Sequence, residues 1–347
     1  MNREHRHSLR GLLATQFLGI FNDNAWKIVV ALLGIRSVVA EIGPSAPAFE
    51  TAAQTQTTLA FAVFALPLML ASLPAGVLAD RMSKRSVIIL MKILEVAFMA
   101  AGAVALLLHP SGGLPVLLVL GFMGVHSALL SPAKYGILPE ILPHDRLSAG
   151  NGLFELCNFL AIIAGTYAGG YLLGSVPEAH WIVGAAFTGI AILGFLASCT
   201  IPAVPPARSA GGLAATTRGA WAALSADRIL RLAVLGSVFF WTLASLIGQQ
   251  VLVYTKVVLG LPDTVVGGPL AVVAAGTGLG AVLAGKLSAS KVEYGLFPLG
   301  ALVFGFFTLL LGIRWPASIG ATVSLASSPC SIPSVIWPLS GWRRTMG

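Results

Sequence analysis

Gly76-Val77-Leu78-Ala79-Asp80-Arg81-Met82-Ser83-Lys84-Arg85 puts four charged side chains into ten residues, in a 347-residue chain of which only 10% is Asp, Glu, Lys or Arg. An apolar run flanks it on each side, one starting near Thr57 and the other near Val87. Each is about 20 residues long, the length needed to cross a hydrocarbon core about 30 Å thick. The stretch therefore reads as a short charged loop between two membrane spans. Reading outward, further runs start near Leu12, Leu114, Gly152, Trp181, Ile229, Val265 and Gly295. A soluble chain is about 25% charged. At 10% charged and 56% hydrophobic, this chain cannot cover a water-facing surface. That excludes a soluble enzyme, a disordered protein and a nucleic-acid binder. The net charge of +8 does not point to nucleic acid, because the basic residues sit in short loops between apolar runs.

Those loops set an orientation. With the N-terminus in the cytoplasm, fourteen Lys and Arg residues fall on that side, against Arg36, Lys256 and Arg314 on the other. Cytoplasmic loops carry such an excess. The expected organisation is an all-α membrane protein. Residues 1–201 form a six-span bundle, 202–228 a cytoplasmic linker rich in Pro, Ala, Gly and Thr, and 229–313 a partial bundle of about three spans. A weak repeat supports two related halves. Gly285 to Lys291 reads GKLSASK, an echo of Gly76 to Arg85 with Ala289 where Asp80 stands. Residues 314–347 are Ser-, Pro- and Trp-rich without a 20-residue apolar run, and are expected to be a truncated or frame-shifted end.

Several polar residues lie inside spans. The first span carries Phe21-Asn22-Asp23-Asn24 and Lys27. Ionised groups at membrane depth cost a few kcal/mol and mark a cavity or a partner. Asp23 and Lys27, four apart, can pair on one helix face. Asn22, Asp23 and Asn24 sweep about 200° of the helix, so they cannot all face one cavity. A substrate cavity and a self-neutralised pair that locks helices both remain open here. Lys92 and Glu95, three apart, read as a structural pair. Glu155 and Asn158, also three apart, read as cavity or gate residues, since the charge of Glu155 needs a partner from elsewhere. Asp80 sits at a helix end among Arg81, Lys84 and Arg85. A carboxylate there can bond a neighbouring helix N-terminus and a guanidinium, closing a gate in one state. Gly76 would let two helices approach closely. A plain basic loop is the alternative.

Gly76 to Arg85 resembles the signature loop between the second and third helices of the major facilitator superfamily, with Ser83 where that family usually has Gly. The segment from Ser131 through Lys134, Tyr135, Pro139 and Glu140 to Asn151 and Glu155 is similar to the corresponding loop of bacterial lysophospholipid transporters. Their first span carries an F-x-D-N sequence, matched at Phe21 to Asn24. The resemblance covers about residues 10–310. It implies a helical bundle of the major facilitator type with an incomplete second half. It implies alternating access that moves lysophospholipid, chiefly lysophosphatidylethanolamine, across the bacterial inner membrane for reacylation, with an acyltransferase or acyl-carrier-protein synthetase as partner. Asn22, Asp23, Asn24, Lys27, Glu155 and Asn158 would then meet substrate. Gly76, Asp80, Arg81, Lys84, Arg85, Lys134, Tyr135 and Glu140 would gate.

Enzyme chemistry has no footing in the sequence. His144 is followed at once by Asp145, the wrong spacing for an acyltransferase signature, and neither a G-x-S-x-G elbow nor a Walker A motif is present. The histidines and the three cysteines have no metal-ligand spacing, and no cofactor is expected. Two other functions remain open: a proton-coupled exporter of drugs or metabolites, and a non-transporting membrane partner of an acyltransferase. The charge bias makes one direct prediction. Cysteines engineered at positions 5, 83 and 215 should resist a membrane-impermeant maleimide added to intact spheroplasts and react after lysis. Labelling before lysis would invert the topology.

Overall fold

The computed structural model describes residues 3–44, 46–143, 147–205, 212–287 and 296–312. Its elements are helices: α1 Arg3–Ile42, α2 Phe49–Arg81, α3 Lys84–Leu108, α4 Leu114–Gly136, the single turn α5 Leu138–Ile141, α6 Leu147–Ser175, α7 Trp181–Cys199, α8 Leu213–Ala226, α9 Arg228–Val253 continued by a π-helical turn Tyr254–Val258, α10 Asp263–Leu287, and α11 Leu296–Gly312. Each apolar run read from the sequence is a helix. By length and composition six segments can cross a membrane: Phe49–Ser72, Lys84–Leu108, Leu114–Ile141, Gly150–Ser175, Trp181–Cys199 and Arg228–Val257. Residues 1–281 and 282–347 are separate compact units. Of the second, the described part beyond α10 is α11, which contains the short apolar stretch Pro298–Phe307. The expected irregular stretch 314–347, the loop residues 144–146, residues 206–211 and most of the repeat at 285–291 lie outside the described residues.

In the first unit α1 is central. At 40 residues it is about 60 Å long, and it packs on α2, α4, α6 and α7. Ala25, Trp26, Val29, Ala31 and Leu32 have no solvent exposure. This explains why α1 tolerates polar residues and falls outside the six apolar segments: protein, not lipid, covers its middle. Around it α2 packs on α4, and α3 on α4 and α7. One core layer joins Trp26, Met99, Leu106, Leu120, Met123 and Phe187. A second, nearer the α2–α3 loop, joins Leu12, Val87, Ile88, Met91, Leu130, Ile137 and Phe154. Outward faces stay apolar, with Leu70, Leu108 and Leu114 about two-thirds exposed or more. Only lipid covers such a surface at low cost.

Close approach of α6 to α1 needs glycine at two points four residues apart. A Cβ on Gly169 would stand 2.5 Å from the Ala25 carbonyl oxygen, and one on Gly165 would collide with that of Phe21. Small residues at this spacing let backbones meet where lipid supplies no hydrophobic drive. The stretch 202–228, expected to be a linker, contains α8. Ala214, Ala215, Ala220, Ala222 and Ala223 are strong helix formers, and nearly the whole helix is exposed. Asp227 ends α8 and caps α9, its Oδ1 accepting from the backbone N–H of Ile229 at 2.8 Å and of Leu230 at 3.2 Å.

Candidate functional site

The polar residues of α1 separate onto two sides. Asn22 turns inward with no exposure. Its Nδ2 donates to Glu95 Oε1 on α3 at 3.1 Å and to the Phe187 carbonyl on α7 at 3.2 Å. Glu95 Oε2 pairs with Lys92 Nζ at 2.6 Å, both side chains fully buried. His126 of α4 stands 3.9 Å from the same oxygen, too far to hydrogen-bond. Gly19 makes the room for Lys92, since a Cβ there would lie 2.5 Å from Nζ. A charge pair at this depth persists only if geometry and extra hydrogen bonds offset its desolvation, and Asn22 supplies one of those bonds. Lys92 and Glu95 thus form the structural pair their spacing suggested. Asn22, expected to meet substrate, is closed off within the same cluster because its amide is needed by Glu95.

Gln16, Asp23 and Lys27 follow one another at seven and four residues, which aligns them on a single helical stripe. Asp23 Oδ2 accepts from Ser127 Oγ of α4 at 2.5 Å, while its Oδ1 has no hydrogen-bond partner. Lys27 Nζ donates to Asn24 Oδ1 at 3.1 Å and lies 5.4 and 5.3 Å from the ring centres of Phe61 and Phe64 on α2. The Asp23–Lys27 pair permitted by spacing is therefore not formed: Ser127 holds one end and two aromatic faces the other. Asn24 Nδ2 bonds back to the Ile20 carbonyl. Gln16 Nε2 donates to Asn158 Oδ1 at 2.6 Å, and Asn158 Nδ2 donates to Glu155 Oε2 at 3.0 Å and to the Tyr135 hydroxyl at 3.4 Å. Lys134 Nζ lies 5.5 Å from the Tyr135 ring centre and feels the carboxylates of Asp23 and Glu155. Asp23, Lys27 and Lys134 are half-buried, and Tyr135 and Glu155 exposed. This side of α1, with α4 and α6, thus carries two carboxylates and two ammonium groups.

The residues expected to gate are only partly brought together. Lys84, at the start of α3, pairs with Glu140 of α5. Arg85 Nη2 donates to the Cys199 carbonyl at the end of α7 at 3.4 Å. Arg81 lies in the last turn of α2, where a cation suits the helix dipole. Among the described residues nothing hydrogen-bonds or ion-pairs with the Asp80 side chain, and a Cβ on Gly76 would meet nothing within 4 Å. The close approach expected at Gly76 is absent there.

At the opposite end a network was missed by sequence reading. Asp263, at the start of α10 and only 3% exposed in its side chain, takes Arg36 Nε at 2.6 Å and pairs with Lys256. Arg36 Nη1 meets His180 Nε2 at 3.0 Å. His126 and Ser127 were also missed. A lone His and a lone Ser in apolar runs carry no spacing signal, and Arg36 and Asp263 are 227 residues apart.

With the bundle in place, the comparisons agree with it. The sequence profile of the Major Facilitator Superfamily matches residues 16–341, and the chain belongs to that superfamily of membrane transporters. It is 29% identical over 314 residues to the lysophospholipid transporter LplT of Photorhabdus laumondii subsp. laumondii, covering 88% of this chain and 72% of that one. It is 29% identical over 301 residues to LplT of Salmonella typhimurium, covering 84% and 68%. A crystal structure of the peptide transporter POT in complex with sulfate aligns with 72% of this chain at a TM-score of 0.46 and 16% identity, and the chain spans 52% of that protein's length.

The buried cluster makes a prediction about folding. Glu95→Gln leaves Lys92 as an uncompensated buried charge and should cost about 3–5 kcal/mol. Lys92→Met with Glu95→Leu removes both charges and keeps the Asn22 bond to Phe187. It should restore most of the folded yield, read as monodisperse protein after detergent extraction and heating. A double variant as unstable as Glu95→Gln would show that the pair is needed as charges.

Proposed function

We propose that this chain is an alternating-access secondary transporter that carries lysophospholipid across the bacterial inner membrane. Membership of the superfamily supports transport, and the names of its relatives support the substrate. The observation that carries the reading is the balance of charge on the accessible side of α1, α4 and α6. Asp23 and Glu155 suit the ammonium of an ethanolamine headgroup, and Lys27 and Lys134 its phosphate. A zwitterion meeting two of each sign leaves no net charge in a site of low dielectric. The apolar faces that surround the bundle suit the single acyl chain. In this reading the N-terminus and the α2–α3 loop face the cytoplasm, residues 1–201 and 229–313 belong to opposed halves joined by 202–228, and Asp80, Arg81, Lys84, Arg85 and Glu140 close the cytoplasmic side. An acyltransferase would consume the delivered lipid.

Asp23 is the residue to test, since its Oδ1 is buried without a hydrogen-bond partner. Asp23→Asn keeps a group that can bond Ser127 but loses a charge-assisted bond of about 1.5–3 kcal/mol, or about ten- to a hundredfold in affinity. Uptake of labelled lysophosphatidylethanolamine into spheroplasts, normalised to protein in the membrane, should fall by about tenfold or more while folded yield is kept. Because Lys27 is held by Asn24, Phe61 and Phe64, adding Lys27→Met should not recover uptake. Wild-type uptake by Asp23→Asn would remove Asp23 from the substrate path.

A further inference from the structure

Between the first turns of α2 and the last turns of α9 lies a groove of about 730 Å³. Beside it Thr58 Oγ1 donates to the buried Gln249 Oε1 at 3.0 Å and ties the two helices together. The α2 wall falls into two rows at helical spacing. Thr51, Thr55 and Leu59 form one, and Glu50, Gln54, Thr58 and Ala62 the other. Both rows change from polar to apolar as α2 runs on from its start. From the other side α9 adds Gln250 and Val253, and the π-helical turn adds Tyr254 and Val257. Turns of this kind recur at functional sites.

The change of polarity follows membrane depth. Phe49–Ser72 and Arg228–Val257 can each cross a membrane, so Glu50 begins one span while Tyr254 and Val257 end the other. That is headgroup level, where tyrosine is enriched. Glu50 to Thr58 covers about 12 Å of helix. Beyond Ala62 the second row continues every four residues into Leu66 and Leu70, apolar and 54% and 72% exposed. An acyl chain lying along that row keeps the bilayer on its other side. Charge then selects the headgroup. Glu50 is the one charged residue lining the groove, it is exposed, and among the described residues it makes no ion pair. The side chains of Thr51, Gln54, Gln250 and Tyr254 make no hydrogen bond among the described residues and can donate to phosphate oxygens.

We propose that the α2–α9 groove is a docking site for lysophospholipid, with the ammonium of the headgroup at Glu50 and the single chain along Leu59, Ala62 and Leu66. The inference rests on the transport reading and adds to it a second site, apart from the stripe on α1. In the orientation that the loop charges favour, the groove opens to the periplasmic leaflet. At that same end Arg36 ties α1 to Asp263 of α10. Lipid held in the groove therefore waits, already oriented, beside a path that is closed. Holding it there raises its effective concentration at the entrance. A lone carboxylate also discriminates: a phosphoglycerol headgroup has no ammonium for Glu50 and brings a net negative charge toward it.

The test places the full chain in nanodiscs of phosphatidylglycerol, which has no amine, with radiolabelled lysophosphatidylethanolamine as the probe. A photoreactive amino acid is introduced singly at position 55, 62 or 66, or at 108, an exposed apolar position at the same end of the bundle. Labelling at 55, 62 and 66 should saturate, whereas labelling at 108 should rise in proportion to the probe. Unlabelled lysophosphatidylethanolamine should displace the signal at 55, and lysophosphatidylglycerol or diacyl phosphatidylethanolamine should need about tenfold more. Glu50 is exposed, so Glu50→Gln should keep its folded yield. It should weaken saturation about tenfold, while Glu50→Asp holds it within about threefold of wild type. Asp23→Asn should lose uptake yet label at 55 as wild type does. Labelling at 55 that does not saturate, that ignores Glu50→Gln, or that diacyl phosphatidylethanolamine or lysophosphatidylglycerol displaces equally well would each overturn the docking site. The full labelling pattern with no uptake by wild type would support the docking site and count against carriage alone.

Discussion

Glu95 is the carboxylate on which the arrangement of the first helix depends. It has no contact with solvent, it neutralises an equally buried Lys92, and it takes the amide of Asn22 across from α1. In a membrane bundle the hydrophobic effect does not distinguish one rotation of a helix from another, because lipid is as apolar as the neighbouring helix. A directional bond to a buried charge does. Successive residues on a helix are about 100° apart, so fixing Asn22 toward α3 and α7 aims Asp23 toward α4 and carries Lys27 to the same side. The direction of the stripe is thus set by Asn22, a residue that lies off it.

The same logic places charge at the two ends. The α2–α3 loop end is held by Lys84 with Glu140 and by Arg85 with the Cys199 carbonyl, contacts that stay within α3, α5 and α7. The other end is held by Arg36 with Asp263, a contact between the first helix and α10. A tie between α1 and α10 at one end, with Asp80 unengaged among the described residues at the other, is an asymmetry of the kind that alternating access requires of a single state.

Hydropathy made most of this fold legible, because the bilayer accepts few backbone solutions and each apolar run had to be a helix. The charged loop at Gly76 to Arg85 located two helix ends for the same reason. Side-chain partners were legible only where they are local. Lys92 and Glu95 share a helix face at three residues, so their pairing could be read. Asp23 and Lys27 share a face at four and do not pair, because Ser127, Phe61 and Phe64 compete from other helices. Nothing in sequence spacing announces those competitors, or joins Arg36 to Asp263. The stripe of Gln16, Asp23 and Lys27 was available from periodicity, but which side it faced depended on Asn22 and hence on α3. Gly76 shows the converse limit: a small residue permits close approach without requiring it.

The central claim is that one side of α1 meets substrate and the other is locked within its own half. Photocrosslinking along α1 tests it most directly, with a photoreactive amino acid placed singly at positions 16 to 29 and radiolabelled lysophosphatidylethanolamine present during irradiation. The account predicts labelling with helical periodicity, strong at 16, 23 and 27 and silent at 22, 26 and 29, in every variant that still folds. Uniform labelling, or labelling that peaks at 22 and 26, would contradict it.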